Sequence, residues 1–424
     1  MQILQKSQGK RLYAATASLT LLVLLVFNAN AYADKVTDWN RIATTAQTNL
    51  NRTNNALIGT DLAYMHIAIY DAVNAIDGRY TVFAVRPNVP AGASQEAAAV
   101  EAAYRVLRAI LPASQAAYLD GEYIASLATI PDGPAKVNGM AVGFETAALL
   151  LAARSGDGRG DTTIIYTPGS GPGAWVQTPP AFSSAATPWL AVMRPFAIES
   201  PSQFRAEGPP ALGSRDYTDD FNETKRLGSV NSAVRTPEQT TLARFYFDVT
   251  VLQEAEGLRG LAAASNLSTA DSARLYAQVY VSVSDAMIAG WDSKFYYGFW
   301  RPITAIRNAG LDGNPGTDAD PLWSPMTSTP AHPEYPSAHS FISNAFTESI
   351  RWFFGTKRLE ISLSSVNTGT TMVYRNTDDI GKDITDARVY AGFHFRTACV
   401  HGAVIGKKVA KYVSKNYFQP VGRR

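Results

Sequence analysis

Apolar residues recur at helical spacing through most of the first half of the chain. Leu62, Met65, Ile69, Val73 and Ile76 share one face of the stretch from Thr60 to Ile76, which predicts a helix. Ser94 can cap a second helix that runs through Ala-rich sequence to Leu111, where Pro112 ends it. A third is expected from Ala116 to about Leu127. Pro134 suits the first turn of a fourth, which runs to Arg154 and stops near Gly156. In the second half, Thr236-Pro237-Glu238-Gln239 is a capping box with proline at the first helical position. Ser268 to about Phe299, Ser340 to Phe354 and Cys399 to Val413 complete the helical set. Strand signals are few, and Thr162 to Tyr166 is the candidate. The pattern predicts an all-α fold, built as two helical layers or bundles sharing an interface.

Two stretches depart from this periodicity. Thr167 to Gly213 is rich in Pro and Gly, with Trp175, Trp189 and Phe196 interspersed. Those aromatics favour an ordered crossover loop packed on the surface and shaping a cleft. At the N-terminus, Lys6, Lys10 and Arg11 precede the apolar run Leu21-Leu22-Val23-Leu24-Leu25-Val26, and Ala31-Tyr32-Ala33 fits a cleavage site. The expected organisation is a signal peptide over 1–33, a helical region over 34–166, the crossover over 167–230 and a second helical domain over 231–424.

Composition supports a folded, exported globule. Hydrophobic residues make up 46% and charged ones 17% of the 424 residues, which argues against disorder. Loss of the three cations in 1–33 takes the formal charge from +2 to −1, so no nucleic-acid footprint remains. Beyond residue 33 no uninterrupted apolar run is long enough to span a bilayer. Periplasmic or secreted localisation is expected. Cys399 is the only cysteine, so no internal disulfide is available, and its apolar surroundings suit a small buried hydrophobe.

Candidate chemistry is concentrated in three motifs in the last third. Lys294 is followed after six residues by Arg301-Pro302; then come Pro336-Ser337-Ala338-His339, and Arg388 with His394 six positions later. On one helix, Lys294 and Arg301 would point the same way and converge on one anion. Ser337 can cap the apolar helix that follows, whose first N–H groups favour an anion. Six residues do not place Arg388 and His394 on one helical face, but Gly392 between them can supply a break. Singly, each motif also fits a solvated face, a capped helix or a core histidine. Together they describe a pocket for a tetrahedral oxyanion.

These motifs resemble the shared signature of the vanadium-dependent haloperoxidases and the type 2 phosphatidic acid phosphatase superfamily, over roughly residues 285–406. The flanking Phe299-Trp300, Glu334-Tyr335 and Tyr390 to Arg396 are most similar to the soluble bacterial haloperoxidase-like branch, as is His66 to Ala72. The resemblance implies a C-terminal catalytic bundle whose Lys294, Arg301 and Arg388 neutralise the oxygens of vanadate or phosphate. Ser337 and the Ala338 N–H would donate to the same oxygens. It makes His394 the apical vanadium ligand, or a phosphoryl-accepting nucleophile, and His339 the general acid/base. Lys294 would polarise bound peroxide. Phe299, Trp300, Phe393 and Phe395 are candidates to shape a halide site.

The chain departs from the family pattern at three places. Ala338 stands where Gly is frequent, and Ala387 where Ser is usual. Ala398 occupies the position at which many members carry an Asp that orients the apical histidine; Asp292 or Asp386 is a possible substitute. The leading expectation is a haloperoxidase with vanadate as cofactor, using hydrogen peroxide and halide. An exported acid phosphatase acting on a phosphate ester is the alternative, and a noncatalytic oxyanion binder the third.

Overall fold

Short polar side chains start most of the helices, as the sequence predicts. The computed structural model describes residues 34–422, so the expected signal peptide lies outside the described residues. The first half comprises α1 (Lys35–Asn49), α2 (Asn55–Asp77), α3 (Gln95–Ile110), α4 (Ala116–Ala128) and α5 (Pro134–Ala153). Then follow α6 (Arg215–Gly228), α7 (Pro237–Phe245), α8 (Thr250–Ala264), α9 (Thr269–Tyr297), α10 (Pro302–Arg307) and α11 (Ala338–Phe354). A hairpin of β1 (Ile361–Ser365) and β2 (Thr370–Tyr374) precedes α12 (Thr377–Tyr390) and α13 (Arg396–Asn416). The fold is all-α apart from this hairpin.

Ser94 accepts from the Ala97 N–H at the start of α3, and Thr236 and Gln239 form the capping box of α7. The strand expected at Thr162–Tyr166 does not form; those residues run in turn and extended conformation without a partner strand. The strands that do form lie elsewhere, with Ile361, Leu363 and Ser365 alternating inward. Residues 167–213 carry no regular element beyond a short 3-10 turn at Pro188–Ala191, while α6 occupies part of the segment expected to be loop.

The axis of the packing is α9. It is buried nearly all round through its middle and packs against α2, α11 and α13. Asp285 on this helix is buried and accepts from the N–H groups of Phe196, Ala197 and Ile198 at 2.7–2.9 Å, pinning the crossover to the core. On α13, a side chain at Gly402 would meet the Ser337 carbonyl oxygen at 2.7 Å, so glycine there lets α13 lie directly against the start of α11. No helix among the described residues is long and apolar enough to cross a membrane.

Candidate oxyanion site

The site forms where α9, α11 and the α12–α13 turn meet. Lys294 lies in the last turn of α9, but that helix ends at Gly298 in left-handed conformation, and Arg301 lies beyond it as the N-cap of α10. The two cations therefore do not share a helix, contrary to the reading of their spacing; a glycine cap turns the chain between them. Ser337 is the N-cap residue of α11, yet its side chain makes no capping hydrogen bond. Gly392, at φ 76°, lets the chain leave α12 and place His394 beside Arg388.

Lys294, Arg301, Ser337, Arg388 and His394 are buried, with at most 2% exposed. Lys294 Nζ donates to the carbonyls of Pro333 and Glu334 at 2.9 and 3.1 Å. Arg301 reaches the His332, Phe393 and Pro330 carbonyls, and its Nη1 lies 3.2 Å from His394 Nε2. Arg388 Nη1 donates to the Tyr246 carbonyl at 2.9 Å, and its guanidinium lies over the Phe393 ring.

His394 Nδ1 is 2.9 Å from Glu334 Oε1, which also accepts from the Phe395 N–H at 3.0 Å. Arg301 can only donate to Nε2, so the network assigns the proton to Nδ1 and the lone pair to Nε2. Burial, reinforced by Arg301 and Lys294, holds the His394 ring well below the usual histidine range, so it is neutral. Burial likewise depresses His339, with Arg388 adding to the effect, and Lys294, with Arg301 adding. For Glu334 burial pushes the carboxyl up while Arg301 and Lys294 pull it back.

Glu334 is the residue that sequence reasoning missed. It takes the place of the carboxylate expected from Asp292 or Asp386. Asp292 is instead held by Arg205, and Asp386 by Arg396 and Lys382. The available signal was an isolated acid in the apolar, Pro-rich run Pro333-Glu334-Tyr335-Pro336. His332 was missed too; its Nδ1 lies 3.0 Å from Arg301 Nη2 and 3.1 Å from the Pro333 carbonyl oxygen, and its ring lies against Trp291.

A cavity of about 450 Å³ opens onto Ala338, His339, Arg388, His394 and His332, with Trp291, Phe247 and Asp248 on other walls. Lys294, Arg301 and Ser337 stand behind its wall. Phe299, Trp300, Phe393 and Phe395 do not line it. Phe299, Trp300 and Phe395 belong instead to a core with Tyr217, Phe221 and Tyr335, and Phe393 to one with Ala243 and Ala391. Buried polar atoms here without a protein partner include Ser337 Oγ, His339 Nε2 and Arg388 Nε, beside the carboxylate oxygens Glu334 Oε2 and Asp248 Oδ2. The Cys399 thiol lies beside the Ser337 hydroxyl without meeting hydrogen-bond geometry, and burial pushes it up to about 12, so it stays protonated. The three cations outnumber the carboxylates Glu334 and Asp248. Such a set of donors suits a tetrahedral oxyanion.

Comparison with known proteins finds related chains and folds. Residues 274–422 match the family described as the VCPO second helical-bundle domain, a span that contains every residue of the three motifs. Vanadium chloroperoxidase of Curvularia inaequalis is 30% identical over 196 residues, covering 38% of this chain and 31% of that protein. The match thus spans about a third of the curated relative's length. The crystal structure of a bacterial vanadium-dependent iodoperoxidase superposes with a TM-score of 0.79 at 22% identity, over 92% of this chain and 97% of that one. A holo-type bacterial vanadium-dependent chloroperoxidase gives 0.68 at 17%, over 86% and 92%. The resemblance carried by the motifs therefore holds, and the fold is that of the vanadium haloperoxidases.

Proposed function

We propose that this chain is a haloperoxidase, oxidising halide with hydrogen peroxide at a vanadate held by His394. One observation carries the reading. The His394 ring is neutral, Glu334 engages its Nδ1–H, and its Nε2 lone pair is set among buried cations. That is the arrangement of a ligand to the central atom of an oxyanion whose oxygens need positive charge around them.

The donors without a protein partner fit the group. Arg388 Nε and Ser337 Oγ can donate to its oxygens, joined by the Ala338 N–H at the start of α11. Lys294 and Arg301 contribute charge from behind the wall, and in this reading Lys294 polarises peroxide. Bound vanadate would supply a Lewis-acid centre that activates peroxide at a constant oxidation state. His339, neutral and with a free Nε2, can take a proton from incoming peroxide and return it to the departing oxygen. Overall, halide, hydrogen peroxide and a proton give hypohalous acid and water.

The His394–Glu334 pair also favours a second reading, an acid phosphatase. A carboxylate behind the imidazole raises its basicity, which attack on phosphorus requires. His394 Nε2 would form the N–P bond as His339 protonates the leaving alkoxide, and water would then release phosphate.

Purified protein, with and without vanadate, assayed for peroxide-dependent bromination beside aryl phosphate hydrolysis, separates the two. Bromination absent at saturating vanadate would sink the first reading. Hydrolysis abolished in His394→Ala would support the second. Vanadate binding without either activity would leave a noncatalytic binder. Export to the periplasm or medium belongs to the same reading, and N-terminal sequencing of the recovered protein, expected to begin near Asp34, checks it.

A further inference from the structure

A second concavity lies beside the oxyanion cavity. It encloses about 580 Å³ between the crossover segment and the start of α2, within the roughly 300–1,000 Å³ usual for small-molecule sites. The two share Asn54 and Thr187 in their walls, so they adjoin. The partition between them is held in place. Ala186 donates to the Ala331 carbonyl at 2.7 Å, and its own carbonyl accepts from Trp291 Nε1 at 3.4 Å. Thr187 has φ 52°, a conformation disfavoured for a β-branched residue, and its buried hydroxyl has no partner.

The apolar part of the groove is formed by Leu57, Ile164, Ile165, Tyr166, Pro168 and Trp189, and Thr162, Gln177 and Ser184 add uncharged polar lining. Ile165 is 84% exposed there. Tyr166 packs between Trp175 and Phe295, which fixes its ring. No Lys or Arg lines the groove. Its only charged side chain is Asp161, whose Oδ1 is taken by the Thr163 N–H and hydroxyl. Such walls receive flat, uncharged molecules and disfavour anions.

We propose that this groove, adjoining the oxyanion cavity, binds the organic halogen acceptor, a neutral electron-rich aromatic such as a phenol. The proposal rests on the haloperoxidase reading. Hypohalous acid formed in the cavity would meet the acceptor across the Asn54–Thr187 boundary. The ring carbon forms a bond to halogen as the halogen–oxygen bond breaks; the ring loses a proton, and hydroxide leaves with it as water.

The test uses phenol and 4-hydroxybenzenesulfonate as probes, with the protein as purified and its Ile165→Glu variant, which changes an exposed side chain. Saturation-transfer NMR should report contact with phenol but not the sulfonate, and Ile165→Glu should weaken phenol about tenfold by placing a charge on an apolar wall. With vanadate, bromide and peroxide, the ratio of ortho to para bromophenol should differ from that given by free hypobromous acid. In Ile165→Glu it should return to the free ratio. Iodide oxidation without an organic acceptor is the reference for each protein. No phenol contact, or a free-reagent ratio while iodide oxidation proceeds, overturns the groove alone. Phenol contact with no vanadate-dependent iodide oxidation overturns the haloperoxidase reading, and the acceptor role with it.

Discussion

Glu334 Oε1 lies 2.9 Å from His394 Nδ1, across 60 positions of sequence, with both side chains buried. The same oxygen takes the Phe395 N–H, so one carboxylate orients both the ring and the backbone that carries it. This pair replaces the acid that Ala398 cannot supply. Ala398 instead gives its carbonyl to the Ser337 N–H at 2.9 Å, tying the α12–α13 side of the site to the start of α11.

Glu334→Gln should separate ligation from charge. On the proposed reading vanadate is ligated by a basic His394 and should bind about 10–100-fold more weakly, the usual cost of losing such a partner. Sulfate depends only on the cradle's charge. Removing a nearby carboxylate should leave its affinity unchanged or slightly tighter. Equilibrium dialysis with both anions reads the difference, and an equal loss for both would mean a collapsed site. Asp292→Asn and Asp386→Asn should change neither affinity.

Much of the fold was legible because helix starts are local chemistry. Ser94, Pro134 and the Thr236–Gln239 box each act within one turn, and each marks a real helix. The residues that gather around the cavity were legible as a motif set, but their geometry was not. Lys294 and Arg301 converge because Gly298 ends α9 between them, not because they share a face. The Glu334 partnership depends on the Glu334–Ser337 segment and the α12–α13 turn meeting in space, which no local pattern encodes. The hairpin was missed because two five-residue strands give a short alternating signal, easily lost among helices.

Acid should tighten oxyanion binding. His339 and His394 are held below their ordinary range by burial and by the cations around them. An anion in the cradle offsets that positive field, so it raises these pKa values and binding takes up protons. Affinity then increases as pH falls toward the histidine range, by at most about tenfold per pH unit for each proton taken up. Sulfate, which does not itself titrate there, is the suitable probe. Calorimetry in buffers of different ionisation enthalpy should show uptake; proton release, or weaker binding on acidification, contradicts the assignment.

Ser337→Ala should divide binding from stability. An N-cap serine normally contributes about 1 kcal/mol, but here the hydroxyl caps nothing and has no protein partner. Urea denaturation should therefore find stability within about 0.5 kcal/mol of the parent. If the hydroxyl donates to the oxyanion, sulfate affinity should fall by about 1.5–3 kcal/mol, the range for a hydrogen bond to a charged group. A large stability loss with unchanged affinity would reverse its role.

Gly392 joins the two halves of the third motif, and two costs meet there. Its φ of 76° is disfavoured for any side chain, and an added Cβ would meet the Gly228 carbonyl oxygen at 2.4 Å. Gly228 is helical, and a Cβ there would meet Gly392 Cα at 2.5 Å without the dihedral penalty. Gly228→Ala thus reports the steric term alone, while Gly392→Ala adds about 1–2 kcal/mol for the left-handed conformation. Both should unfold at lower urea than the parent, Gly392→Ala lowest. Because relief of either clash must move the α12–α13 turn, and His394 with it, both should also weaken sulfate binding. A Gly392→Ala protein as stable as the parent would mean that this turn does not set the spacing of Arg388 and His394.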